Sequence, residues 1–198
     1  MGTRGLFGVK IDGNDKVTYN HFDSYPDALG KNMVIEFLEY LDEPGGYELL
    51  KKQARELVLV SEDTEPTDEQ ISKLSRFANV NVSSGDLKDW YCLLRGNQGR
   101  LRSTLQSGFM IDSRIFAFDS LFCEYGYIIN LDEEVFECYL GFQKQPHEMG
   151  RFATDPEAKE LISGGYYPIA LILAVPFSCI RERFIESGVK LLPDRKDD

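Results

Sequence analysis

Strand-forming sequence lies at the two ends of the chain, and helix-forming sequence fills the middle. Residues 6–11 and 16–22 flank the turn-forming residues 12–15, a pattern that predicts a β-hairpin. Residues 124–130 and 135–142 flank a second turn in the same way and predict a second hairpin. This arrangement predicts an α+β fold, in which a mostly antiparallel sheet built from N- and C-terminal strands is covered by helices from the middle of the chain.

Helical periodicity marks the middle of the chain. Pro26 precedes an apolar stripe with spacings of three and four residues, and Pro44 with two following glycines ends it. Thr67 and Gln70 have the spacing of a capping box, and Asp86 is predicted to cap a further helix. The stripe consists of Leu29, Met33, Val34, Phe37, Leu38 and Leu41.

The last strand is predicted over residues 166–175, where the apolar run continues without alternation. Such a run is typical of a strand covered on both faces, so we expect it in the centre of the sheet. Ser178 is predicted to cap a final helix. We expect one α+β domain over residues 1–192 and a charged C-terminal tail over residues 193–198.

The chain is acidic, with a formal net charge of −11 over 198 residues. That charge repels phosphate backbones and disfavours nucleic acid as a partner. A modest basic group of Lys88, Arg95, Arg100 and Arg102 is interpreted as solvated loop and helix-end charges. The longest apolar stretch is shorter than the roughly 20 residues of a membrane-spanning helix. We therefore expect a cytoplasmic protein without a membrane partner.

The cysteines stand far apart in apolar surroundings and are predicted to be reduced core residues. They are Cys92, Cys123, Cys138 and Cys179. Neither the cysteines nor the two histidines show metal-ligand spacing, so we predict no metal and no cofactor. The sequence also contains no glycine-rich phosphate loop and no Gly-x-Ser-x-Gly pattern of α/β-hydrolases.

The residues just before the first predicted helix form the segment richest in groups able to do chemistry. If the second strand runs over residues 17–23, alternation puts Tyr19, His21 and Asp23 on one face. His21 could then act as a general base that Asp23 orients. Alternatively, the two side chains fix the turn into the helix. Candidate ligand-binding residues in this segment are Tyr19, Ser24 and Tyr25.

Two arginines are candidate ligands for an anion. Arg4 stands just before the first strand, where the alternative is an ordinary salt bridge. Arg151 follows Gly150 in a predicted loop that could carry a guanidinium over a pocket, and the alternative is a plain surface loop. We predict both arginines as ligand-binding residues.

Six blocks of sequence are similar to those of one protein family. The blocks are Thr3-Arg4-Gly5, YNHFDSYPDALG from residue 19 to 30, DWYCLLR from residue 89 to 95, EYGYIINLD from residue 124 to 132, YLGFQ from residue 139 to 143, and GRF from residue 150 to 152. On these blocks the chain resembles a family of small bacterial and bacteriophage proteins. The resemblance implies a bacterial or phage origin, and the host cytoplasm if the chain is phage-encoded. It carries no activity, cofactor or catalytic residue.

Three functions are compatible with these observations. The first is binding of a small polar or anionic ligand, or of a protein partner, near His21. The second is a hydrolase with His21 as general base, in which Arg4 or Arg151 stabilises negative charge on the substrate. The third is an acidic phage interaction protein that inhibits a host system by charge mimicry. The sequence leaves open whether the chain is an enzyme.

Overall fold

The computed structural model describes residues 2–161 and 164–186, and they form the predicted α+β fold around a five-stranded sheet. A separate pair of short parallel strands, β3 and β4, lies beside it. The predicted domain end at residue 192 and the predicted tail over residues 193–198 fall outside the described residues. The strands are β1 (Gly5–Ile11), β2 (Asn14–Asn20), β3 (Val58–Val60), β4 (Phe109–Ile111), β5 (Tyr125–Asn130), β6 (Val135–Leu140) and β7 (Ala170–Pro176).

The helices lie mainly between the two hairpins. A wider helical turn, Pro26–Gly30, leads directly into the first helix, and a similar turn, Arg181–Glu186, continues the last one. The described α-helices are α1 (Lys31–Asp42), α2 (Gly46–Glu56), α3 (Asp68–Leu74), α4 (Trp90–Leu93), α5 (Leu101–Ser107), α6 (Arg151–Thr154), α7 (Ala158–Leu161) and α8 (Phe177–Ile180). Short 3₁₀ turns are Ser75–Phe77, Arg95–Asn97 and Arg114–Phe118.

The strand order in the sheet is β2-β1-β5-β6-β7. Both predicted hairpins are confirmed, because β1 pairs with β2 and β5 pairs with β6 in antiparallel fashion. A parallel pair, β1 with β5, joins them and aligns Gly5 with Tyr125. All six residues of β5 are buried, so the second hairpin supplies the central strand.

The last strand is not central, and that prediction is wrong. Among the described strands β7 pairs with β6 alone and lies at the edge of the sheet, with Ile172 39% exposed. A continuous apolar run indicates which side chains can be buried, but the position of a strand follows from its pairing partners. Pro176 ends β7, and proline suits an edge because it has no N–H to donate to a neighbouring strand.

Of the three helix caps that the sequence predicts, one is confirmed and two are wrong. The capping box of α3 is confirmed, since the Thr67 N–H donates to Gln70 Oε1 at 2.8 Å and the Gln70 N–H donates to Thr67 Oγ1 at 3.3 Å. Asp89, not Asp86, caps α4, because Asp86 instead closes the preceding turn by accepting from the Lys88 N–H. Ser178 lies inside α8, which begins directly after β7.

The sheet is covered on both faces. One face, with Phe7, Tyr127 and Phe136, packs against α1, α2 and α5, so helices from the middle of the chain cover it as predicted. The other face, with Leu6 and Ile128, packs against segments that include Phe118, Phe152 and Ile169. The predicted apolar stripe is buried except for Leu41, which is 36% exposed. The neighbouring Tyr40 is buried instead.

The cysteines are free thiols, and three of the four are buried as predicted. Burial raises the pKa of Cys123 and of Cys138, so both thiols stay protonated and unreactive at neutral pH. Cys179 is exposed, so its prediction as a core residue is wrong.

Candidate functional site

The second strand ends earlier than the sequence predicts. β2 stops at Asn20, whose buried amide donates to Phe22 O at 2.5 Å and to Ser24 Oγ at 2.8 Å. These bonds draw the chain into a turn, and Asp23 adopts a left-handed backbone conformation with φ of 54°. Alternation therefore does not extend to Asp23, and the prediction that it shares a strand face with His21 is wrong.

His21 is held by Tyr19 instead. A hydrogen bond of 2.8 Å joins the Tyr19 hydroxyl to His21 Nδ1. The two rings make further edge contacts, Tyr19 with Phe116 at 5.0 Å between centroids and His21 with Phe22 at 4.1 Å. Because Nδ1 is engaged, Nε2 is the ring nitrogen that remains for a ligand, and it has no hydrogen-bond partner within residues 2–161 and 164–186.

Two arginines from distant parts of the chain flank this pair. Arg4 precedes β1, and its guanidinium lies 5.2 Å from the centroid of the Phe122 ring. Arg95 begins the turn after α4, and its guanidinium lies 5.8 Å from the centroids of both Phe22 and Tyr91. Such distances allow cation–π attraction, so aromatic rings hold both guanidinium groups in place.

Neither guanidinium forms an ion pair with a carboxylate of the described chain. The Glu124 carboxylate accepts a hydrogen bond from the backbone N–H of Arg4, not from its side chain. Arg95 Nη1 donates to the neutral Gln98 Oε1 at 2.5 Å, and its buried Nε has no partner among the described residues. By contrast, five other arginines pair with carboxylates. They are Arg55, Arg102, Arg114, Arg151 and Arg181.

The positive charge acts on the ionisable groups between the arginines. Burial, reinforced by the charges of Arg95 and Arg4, lowers the pKa of His21 below its ordinary 6.5, so the imidazole is neutral at pH 7. Burial raises the pKa of Tyr19 even though Arg4 and Arg95 oppose that change, so the phenol keeps its proton. A neutral imidazole and an uncharged phenol thus lie within the influence of two positive charges.

The most exposed aromatic side chains of the described residues adjoin the same place. Phe22 is 51% exposed, Tyr25 46% and Phe122 45%. The N–H of Ser24, the residue before Tyr25, donates to the carbonyl oxygen of Thr3, the residue before Arg4, at 3.1 Å. This bond brings Tyr25 near Arg4. We name this region the aromatic–arginine surface. It comprises Arg4, Tyr19, His21, Phe22, Tyr25, Arg95 and Phe122.

Two predicted ligand-binding residues do not contribute their side chains to this surface. Ser24 is fully buried, and its hydroxyl accepts from Asn20, so it stabilises the turn. Arg151 donates to both carboxylate oxygens of Asp15. Asp15 precedes Tyr19 by four positions on β2, on the order of 13 Å at about 3.3 Å per residue. Arg151 is therefore committed to a different cluster.

That second cluster is a partly buried ion-pair network on the sheet. Arg151 Nη1 donates to Glu137 Oε2 at 2.6 Å and to the Tyr139 hydroxyl at 2.7 Å. The other Glu137 oxygen accepts from Asn130 Nδ2 at 2.7 Å. Both carboxylates of this network, those of Asp15 and Glu137, bind the one guanidinium. The network therefore joins α6 to the strands, and Arg151 has no unneutralised charge for an anion.

Arg95 and the two exposed phenylalanines were not predicted as site residues. The sequence groups Arg95 with nearby basic residues, but these residues have separate partners, since Arg102 pairs with Glu43 just after α1 and Lys88 pairs with Glu65. Phe122 reaches the surface from a loop 118 residues after Arg4. Phe122 stands in no motif of the sequence. Phe22 lies in the His21 segment and Arg95 ends the DWYCLLR block, but nothing in either block indicates that these side chains meet.

Comparison with known proteins adds no further assignment. Neither protein-family models, nor curated protein sequences, nor solved structures yield a match to the chain. The resemblance to small bacterial and phage proteins therefore stays a prediction. Within the described residues, no cluster of three or more His, Cys, Asp or Glu side chains is arranged to hold a metal ion. Over the same residues, no helix has both the length and the apolar character to span a membrane.

Proposed function

We propose that the chain binds an anionic ligand at the aromatic–arginine surface, with Arg4 and Arg95 supplying charge and His21 a directional contact. One observation carries this proposal: in a chain of net charge −11, two guanidinium groups without carboxylate partners among the described residues act on one imidazole. Most other arginines of the described chain are neutralised by carboxylates. Unneutralised arginines at one place are the usual means of recognising carboxylate or phosphate groups.

The remaining contacts suit recognition of a small charged group. Aromatic rings fix the guanidinium groups, which lowers the entropy lost when they bind. The Tyr19 hydroxyl orients the imidazole by its 2.8 Å bond to Nδ1. Because the whole chain is acidic, long-range attraction of anions is weak, and recognition depends on these short-range bonds.

His21 itself provides the test. Sulfate, whose charge is constant near neutral pH, should raise the pKa of His21 in NMR titrations at matched ionic strength, because a nearby anion stabilises the imidazolium. Arg4→Gln and Arg95→Gln should each reduce that effect. Arg181→Gln, which removes the same charge from a surface pair with Asp42, is the matched control and should leave it intact. The proposal is wrong if sulfate leaves the His21 titration unchanged.

A second candidate is a hydrolase in which His21 acts as general base, with Tyr19 in the orienting role first assigned to Asp23. The lowered pKa of His21 favours it, because a base must be unprotonated at working pH, and Nε2 can accept a proton in the tautomer whose Nδ1–H donates to the Tyr19 oxygen. Arg4 or Arg95 would stabilise negative charge on the substrate. His21→Gln should then abolish hydrolysis in a panel of ester and phosphoester substrates while the melting temperature stays unchanged. Equal rates for the wild type and this variant would exclude the role.

A further inference from the structure

The aromatic–arginine surface is open, and the space next to it is small. Tyr91 and Gln98, both in contact with Arg95, line a cavity of about 20 Å³ together with Thr18 and Asn97. That volume holds about one water molecule. Sites for metabolites are commonly several hundred Å³ and enclose most of the ligand. This cavity is therefore too small for a metabolite, which leaves the open surface beside it for a larger ligand.

The composition of this surface is that of a protein interface. Cores of interfaces are enriched in aromatic residues and arginine, and these residue types supply most of the binding energy that alanine scanning finds. Phe22 and Phe122 each expose about half of their surface while an arginine lies against the ring. An exposed ring with an adjacent guanidinium offers a partner an apolar contact and an ion pair in one place.

Charge complementarity identifies the kind of partner. The two guanidinium groups favour a partner that carries negative groups. The net charge of −11, however, opposes the approach of a long polyanion. A protein segment with a few carboxylates meets both conditions, because it carries negative groups without the charge of a long polyanion. Its apolar residues can also cover the rings. Resting on the anion recognition proposed above, we propose that the aromatic–arginine surface docks an acidic peptide segment of a partner protein. The partner's carboxylates bind Arg4 and Arg95, and its apolar side chains cover Phe22 and Phe122.

A random 12-residue peptide library tests this inference. The full chain is the bait, and the counter-selection bait is the Phe22→Ser/Arg95→Gln variant, whose fold is checked by circular dichroism. Enriched peptides should contain Asp or Glu together with aromatic or aliphatic residues. For the tightest peptide, Phe22→Ser and Phe122→Ser should each raise the Kd at least about tenfold. Ile172→Ser, which alters an exposed apolar residue on β7, should change it less than about twofold.

The outcomes separate this inference from the proposed function. Failure to enrich acidic peptides over the counter-selected variant, or enrichment of basic ones, overturns the docking inference. If sulfate still raises the His21 pKa in that case, anion recognition stands and only the peptide partner is rejected. Binding of oligothymidylate with an affinity equal to that of the best peptide would also overturn the inference, because it would identify single-stranded nucleic acid as the partner.

Discussion

At the scale of single residues, the environment of His21 is the most informative feature. The Tyr19 hydroxyl fixes its Nδ1, while burial and the charges of Arg95 and Arg4 disfavour the protonated ring. The fold therefore orders the imidazole and keeps it neutral near pH 7. An anion bound near the arginines would offset their positive charge and so stabilise the protonated imidazole. Protonation of His21 and anion binding should therefore promote each other.

The titration of His21 is the first prediction at this scale. Its NMR midpoint should lie below 6.5, and Arg95→Gln should raise it by removing a neighbouring positive charge. The unfolded chain then binds the proton more readily than the folded one. His21 should thus lower the free energy of unfolding as the pH falls from 6.5 through the folded pKa, and have no such effect above 6.5.

Denaturation of the wild type and His21→Gln at several pH values isolates this effect. The difference between their free energies of unfolding should change only below pH 6.5. A midpoint above 6.5, or no response to Arg95→Gln, would show that the arginines do not act on this ring.

The ion-pair network of Arg151 gives a second prediction. Arg151→Met should reduce the free energy of unfolding by about 3–5 kcal/mol, because the buried Glu137 carboxylate loses its cationic partner. Urea denaturation measures the loss. Arg181→Met breaks an exposed ion pair with Asp42 and should cost less than about 1 kcal/mol. Equal losses in the two variants would contradict a structural role for the network.

At the scale of elements, side chains from the hairpins hold neighbouring segments in place. Asp132, in the β5–β6 turn, accepts hydrogen bonds from the N–H groups of Asp12 and Gly13 at the tip of the first hairpin. On β2, the Lys16 ammonium donates to three carbonyls at the end of α2, those of Ala54, Arg55 and Leu57, at 2.7–2.9 Å. These carbonyls lack partners within the helix and carry its negative partial charge, which explains why a lysine binds there.

The Lys16 contact predicts a measurable loss of stability. Lys16→Met should lower the free energy of unfolding by about 1–2 kcal/mol, because carbonyls at the end of α2 lose their donor. The matched control is Lys52→Met on the same helix, since Lys52 is exposed and makes only a 3.9 Å pair with Glu56. Thermal or urea denaturation of both variants checks the prediction, and a loss no larger for Lys16→Met than for the control would refute it.

At the scale of the whole molecule, local signals were predictable and distant pairings were not. Both hairpins and the α3 cap follow from neighbouring residues, so the sequence predicts them. The edge position of β7 depends on pairing across the sheet, which a run of apolar residues does not encode. Tyr19 and His21 were found because they are neighbours on one segment. The role of Arg151 was missed because its partners Asp15 and Glu137 are not its neighbours in sequence, and that of Arg95 because Phe22, which it contacts, precedes it by 73 residues.

The parallel pairing of β1 with β5 also bears on the order in which the chain folds. Gly5 aligns with Tyr125, 120 positions later, and contacts so distant in sequence slow folding. At roughly 5–20 residues per second, a ribosome needs on the order of ten seconds to synthesise the chain between them. During that time the first hairpin has no sheet to join, and an isolated hairpin is only marginally stable in water. Leu6 of β1, which packs with Phe118 and Ile128, therefore remains accessible to chaperones until that part of the chain emerges.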